Sequence, residues 1–505
     1  MKSIVQTFLI FVSVLLLSFP TQAYVTKSGD VSGEYWSNNY TYFVSNDILV
    51  AQGSTLTIEA GTIIKFEHGK KLTVNGTLTA IGTSSAGICF TAKDDNSIGE
   101  TIVGSDGNPT AGDWDCIYGN GNMDGILQLE YCVVNYAGYL YEDGAVVFVN
   151  TSAGYLTNCT IGYGATNGVY TSYAEVVIDN NYIHDHADHG LLANNYSPTV
   201  TGCNFVDNGG YAAYLYTFNV VPHSGNTGSG NGVNAIGLKG SISENMTLSS
   251  STLGLPIVLI GDLIIEDGFT VSIPAGEVIK IVGTEITVEG TLLAHGSAGN
   301  EIVFTSFLDD NYGGDLNGDG ALTTPTPGNW KGIFLNGNND RQGIGEFDYC
   351  RIRYGGYYGG SADANIGFSY SDDGYFKNSV SEYSSENGLT ANNCAISIEN
   401  CDFVTNSDYA AQLTNMTILN YPGNSATGNS VDGFTISGFV TSDITWTETS
   451  SSVILIPFGN IKIEDDITCT FNEGTILKSI SGGEFLVYGT MDVNGTSTNP
   501  VVFTS

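Results

Sequence analysis

A period of 22 residues constrains this chain more than any other feature. Leu156, Ile178 and Val200 stand 22 apart, and Ile161, Ile183 and Phe205 keep the same interval. So do Gly168, Gly190 and Ala212, and a second run repeats the pattern at Phe376/Ile398, Ser379/Cys401 and Gly388/Ala410. Several markers phased on one such period imply a solenoid. A leucine-rich repeat has a similar length but needs a helical segment and a leucine run, whereas the residues between these markers are Gly, Asn, Asp and Tyr. An antiparallel sandwich would set unlike residues opposite one another. Like residues one period apart meet when successive turns stack parallel and in register. The expected fold is all-β, a single-stranded right-handed parallel β-helix, its short strands joined by Gly and Asn bends.

A longer repeat overlies the short one. Residues 60–92 (AGTIIKFEHGKKLTVNGTLTAIGTSSAGICFTA) recur at 275–306 and 473–505, with Gly61, Gly276 and Gly474 in equivalent places. The first two copies run into polar loops, Lys93–Ala111 and Phe307–Pro327. These close with Trp114 in GDWDCI and Trp330 in GNWKGI, which predicts a tryptophan packed under each loop base. Lys65, Lys280 and Lys478 fall between inward positions and read as outward scaffold lysines. The expected divisions are a signal peptide at 1–23, module 1 at 24–240, module 2 at 241–440 and the start of module 3 at 441–505. Module 3 stops within its cassette, which predicts a longer chain or a partner covering the strand edge. At about 22–25 residues and ~4.8 Å per turn, about twenty turns make a rod on the order of 100 Å long.

The opening Met1-Lys2-Ser3, the apolar run to Phe19 and the small residues ending at Ala23 fit a secretory signal rather than a membrane span, for which the run is short. No later run could cross a bilayer, so the expected location is secreted or the outer cell surface. Lys+Arg is 15 against Asp+Glu 52, a formal charge of −37, which makes nucleic acid a poor partner. Such a surface suits extracellular solubility and divalent cations. Of nine cysteines, Cys132, Cys159, Cys203, Cys350 and Cys401 share an apolar-x-x-Cys-x-apolar setting, which predicts buried free thiols. Asn158/Asn180 and Asn378/Asn400, one period apart, are the expected members of an asparagine ladder.

The cassette TLTIEAGTIIKF…GTLTAIG…CFTA (Thr55 to Ala92) resembles that of secreted pectate-lyase-like right-handed β-helix proteins, and is similar to large bacterial surface proteins. That resemblance covers nearly the whole chain after the signal and implies the fold more than a function. Polygalacturonase-like enzymes of the fold assemble carboxylate motifs with Gly-His-Gly and Arg-Ile-Lys. Here only Asp188-His189-Gly190 and the distant Arg351-Ile352-Arg353 stand in for them. Pectate-lyase-like members pair Ca²⁺ with a basic residue that takes the α-proton of a uronate. The expected function is therefore a non-catalytic one in adhesion or binding of polysaccharide and cell-surface glycan. The alternatives are a lyase or hydrolase of acidic polysaccharide, and a passive spacer.

Two clusters could carry chemistry. Asp309, Asp310, Asp315, Asn317 and Asp319 include a D-x-N-x-D-G core, which sets oxygen side chains at alternating positions around a bend and suits Ca²⁺. The twelfth loop position is Thr326, so a further carboxylate must come from Asp309 or Asp310. His184, His186 and His189 crowd one bend and could take a transition metal, although a histidine-rich surface turn is the expectation. Tyrosines near 136–141, 211–216 and 354–358 could stack on sugar rings or pack at turns.

Overall fold

The computed structural model describes residues 24–139, 143–221, 223–320, 322–371, 373–415, 417–420, 422–446, 453–479 and 483–505. The expected signal segment 1–23 lies outside them. The chain winds as one right-handed parallel β-helix in which each coil lays down three short strands. One coil consists of Tyr155–Thr157, Thr160–Gly162 and Asn167–Ser172, and the next of Val177–Asp179, Tyr182–His184 and Leu191–Asn195. These define a first, second and third face. Every inter-strand pairing between them is parallel, with Leu156 on Ile178 on Val200 and Ile161 on Ile183 on Phe205. Because side chains alternate along a strand, these residues point inward and are fully buried. Truncating one of them, Ile183→Ala for instance, removes a methylated rung and should cost about 2–5 kcal/mol.

Single residues in the left-handed region turn the corners. The first corner uses Tyr131, Asn158, Asn180 and Gly202 (φ 49°, 54°, 53° and 60°); the second uses Tyr136, Tyr163, Asp185 and Asp207 (φ 63°, 55°, 53° and 53°). A Cβ makes this conformation unfavourable by about 1–2 kcal/mol, least for Asn and Asp. Tyrosine is unusual there. Its rings stack from coil to coil, Tyr136 on Tyr163 at 5.4 Å and Tyr354 on Tyr383 at 5.2 Å. Asn158, Asn180, Asn378 and Asn400 therefore serve as corners, and the expected ladder holds for one of its two pairs. Of these four only Asn378 and Asn400 share an amide–amide bond, exposed and 3.3 Å long.

The buried ladders lie elsewhere. Asn208 donates Nδ2 to Asn231 Oδ1 at 2.8 Å, and Asn406 to Asn429 at 2.8 Å. At the first corner the inner column mixes side chains. The amide of Cys132 donates to Cys159 Sγ, that of Cys159 to Asn181 Oδ1, and that of Cys203 to Asn226 Oδ1. A thiol and an amide are interchangeable there because each accepts the buried N–H left free by the bend. All nine cysteines are free and buried.

The modules are joined with a rotation. The third-face row of module 1 runs Tyr118, Val147, Tyr170, Leu192, Tyr214 and Gly237, and continues without a break to Val258 and Lys280 on the second face of module 2. The third face of module 2 likewise passes through Leu413 and Ile436, and its neighbour Phe434 pairs with Leu455, which pairs with Leu477 on the second face of the last cassette. The long strands Val233–Ile242 and Val431–Val440 make each transfer, with a register shift at Gly240 and Gly438.

Candidate functional site

The loop of module 2 rises from the strand Ile302–Ser306 and returns at Trp330. Its base is held by a carboxylate in the protein interior. Asp309 accepts from Thr305 Oγ1 at 2.6 Å and pairs with Arg353 Nη1 at 3.3 Å; Arg353 also pairs with Glu382 at 3.1 Å. The guanidinium lies among Tyr312, Tyr354 and Tyr383, with its centre 4.7–5.5 Å from their rings. Module 1 repeats the Thr–Asp contact at Thr91 and Asp95, 2.8 Å. Asp95 and Asp309 are thus equivalent scaffold groups, a relation visible in the shared T-x-x-x-D spacing. Trp114 stacks on Phe66 at 4.2 Å and is fully buried, as is Trp330.

Of the five residues expected to bind Ca²⁺, the structure gathers three. Asp310, Asp315 and Asp319 place one carboxylate oxygen each within 4.8 Å of one another. Asn317 adjoins them, donating Nδ2 to Asp319 at 2.9 Å. Its Oδ1, like Asp310 Oδ1, is shielded and lacks a hydrogen-bond partner. Asp309 is turned into its ion pair instead. The oxygen donors fit a hard cation. Asp315 accepts the amides of Asp319 and Gly320, so the turn also closes on itself.

Lys65 and Lys280 point out of the coil as expected but are not exposed. Lys65 donates to the carbonyls of Asp95 (2.6 Å) and Glu100 (2.8 Å), and Lys280 to that of Gly314. Each lies under its loop, and burial pulls both ammonium pKa values down. Lys478, the third of the series, is exposed.

The histidines do not form a surface turn. His186 is buried on the inner column above Asn208, whose Oδ1 accepts its amide, and burial lowers its pKa to about 4. His184 is buried and meets Asp185 at 2.7 Å. His189 accepts the amide of Tyr211 on Nδ1 at 2.8 Å, which leaves Nε2 to carry the proton. Its ring stacks on Tyr214 at 4.8 Å and 7°. Neighbours in sequence, the three face different surroundings. Among the described residues the one grouping of three metal-binding side chains is that of Asp310, Asp315 and Asp319.

His189 belongs to an outward aromatic row. Tyr118, Tyr170 and Tyr214 share one register position, with Tyr211 and Tyr216 flanking Tyr214. Lys239 stands 3.6 Å from the Tyr216 ring centroid and Lys71 5.5 Å from that of Tyr118. No Asp or Glu occurs in the six strands of this face between Ile117 and Ile242. The sequence singled out Tyr211–Tyr216 as a stacking strip and His189 as a possible metal ligand, but not Tyr118 or Tyr170, because Val147 and Leu192 interrupt the row on alternate coils. Arg351 is committed to Glu301 and Glu382, both at 3.0 Å, a module away from His189. The Asp-His-Gly and Arg-Ile-Arg segments therefore share no site.

Residues 110–253 match the family described as the right-handed β-helix region. Among solved structures the chain is similar to the Agl-KA catalytic domain, with 14% identity over 90% of this chain and 63% of that one, TM-score 0.20. It is also similar to the catalytic unit of the thermostable GH87 alpha-1,3-glucanase from Streptomyces thermodiastaticus strain HF3-3, with 9% identity over 95% and 61%, TM-score 0.14. The periplasmic alginate epimerase AlgG aligns at 10% identity over 94% and 79%, TM-score 0.13. The chain spans less than two thirds of the length of the first two. Likeness at this level carries no argument about what this chain does. No curated protein matches the sequence.

Proposed function

We propose that this right-handed parallel β-helix is a secreted or cell-surface, non-catalytic glycan-binding rod, used in adhesion. The observation that carries the reading is the outward row of Tyr118, Tyr170 and Tyr214 with His189 and Tyr216 beside it. Coils rise by ~4.8 Å and the tyrosines stand on alternate coils, with Val147 and Leu192 between them, so rings recur about every 10 Å, close to the length of a disaccharide in an extended chain laid along the axis. Flat rings with a polar edge suit the C–H faces and hydroxyls of sugars. Ser172 and Asn194 line the adjoining row as uncharged partners. A formal charge of −37 disfavours polyanionic glycans, so the ligand class is a neutral polysaccharide.

In the same reading Asp310, Asp315, Asn317 and Asp319 hold Ca²⁺ and stiffen the module 2 loop. The decisive experiment is calorimetric titration with neutral oligosaccharides. Tyr214→Ala should weaken binding about tenfold, the share of one stacked ring. Unchanged affinity in the Tyr170→Ala/Tyr214→Ala double variant, or turnover of any oligosaccharide, overturns the proposal.

A further inference from the structure

At one buried position the second cassette carries a carboxylate where the other two carry a hydroxyl. Thr62 and Thr475 occupy it in the first and third, and each donates its hydroxyl to the carbonyl three residues before it, Glu59 at 2.6 Å and Asn472 at 2.8 Å, with a tryptophan carbonyl farther off, Trp36 at 3.4 Å and Trp446 at 3.2 Å. In the second cassette the position is Glu277. No tryptophan strand lies beside it; the chain there forms the short turn Ser250–Leu253. Glu277 spends one oxygen, Oε2, on the Ser250 amide at 2.9 Å. Its other oxygen, Oε1, has no hydrogen-bond partner, although the residue is only 5% exposed.

This carboxylate lines a cleft of about 350 Å³ between that turn and the module 2 loop. Leu255, Pro256, Val278 and Leu316 supply apolar walls, and Ser251 and Gly313 supply polar edges. The volume suits a single ring. Lys280 is the one cation on the lining, and its ammonium is already held by the Gly314 carbonyl. Asp310 and Asp315 act on the same ammonium from the loop side, so the cleft stays net anionic. A buried carboxylate oxygen without a donor costs about 1–3 kcal/mol, and a charged donor repairs this better than a neutral one. A metal ion would need several converging oxygens, and Glu277 is not part of the Asp310–Asp315–Asp319 group.

We propose that this cleft binds an amine-bearing sugar of hexosamine size, its ammonium donating to the Glu277 carboxylate and its ring lying on Val278, Leu255 and Pro256. The assignment does not depend on the tyrosine row. It is tested by ligand-observed NMR with glucosamine, glucose and N-acetylglucosamine as probes. Glucosamine should bind in the millimolar range and the other two at least about tenfold more weakly. Glu277→Gln keeps an acceptor for the Ser250 amide while losing the charge, and should abolish the preference. Val278→Phe should block the cleft with the melting temperature held within a few degrees. Tyr214→Ala should leave glucosamine binding intact. Equal binding of glucose and glucosamine, no binding of glucosamine, or retention of the preference in Glu277→Gln overturns the assignment. So does loss of glucosamine binding in Tyr214→Ala, which would move the amine to the tyrosine row.

Discussion

Trp330 donates its indole Nε1–H to the backbone carbonyl of Arg353 at 2.8 Å, joining the end of the module 2 loop to the strand one coil on. Trp114 makes the same bond to Asn135 at 2.7 Å in module 1. The ring fills a fully buried space and its one polar atom is satisfied. Trp330→Phe should cost about 1–2 kcal/mol and Trp330→Ala about 3–5 kcal/mol. Chemical denaturation checks both values, and limited proteolysis should find new cuts within residues 307–327.

The Asp309–Arg353 pair should be more consequential than the exposed carboxylates above it. Both partners are buried, so Asp309→Asn leaves the guanidinium with Glu382 alone and should destabilise the protein by about 3–5 kcal/mol. Asp315→Asn, on an exposed turn, should change stability by less than about 1 kcal/mol without Ca²⁺. If the loop takes up Ca²⁺, the wild type should melt several degrees higher with it than with chelator, and Asp315→Asn and Asp319→Asn should not.

Acid should weaken the fold through two histidines. Burial lowers His186 and His223 to about 4, from an ordinary value of 6.5. The unfolded chain therefore binds protons that the folded chain refuses. Their contribution is complete above pH 6.5 and is lost as pH falls toward 4, up to about 3 kcal/mol for each. His186→Asn would place an amide on the column that Asn208 and Asn231 already occupy, and should remove about half of the stability change between pH 4 and 6.5, the His223 share remaining.

The thiols should be silent in the native state. All nine are buried, and burial pushes Cys89, Cys401 and Cys469 up to about 12. A disulfide-exchange reagent should titrate none of them at pH 8 and nine after denaturation.

The inward rows were legible in the sequence because apolar residues on one face must recur once per coil, and Ile161, Ile183 and Phe205 stack as their spacing demands. Corners were harder. Asn180 and Asn181 are adjacent and chemically identical, yet one turns the backbone at φ 53° while the other accepts Cys159's amide inside. A shift of one residue reverses the side and no composition signal marks it. The loops were least legible. Asp309 and Asp310 read as a pair, but only the structure sends the first to Arg353 and the second to Asp315 and Asp319. Lys280 looked like a solvent-facing lysine because the pattern of its strand says nothing about what folds over it.

Because each module hands its third face to its successor's second, the covered side of the rod precesses. The loop over Lys65 and the loop over Lys280 look out in different directions, like treads on a spiral stair. A chain that gained another such module by duplication would not lengthen one flat contact patch; it would open a new one facing elsewhere, so that crowding ligands on a shared target would compete less as the array grew.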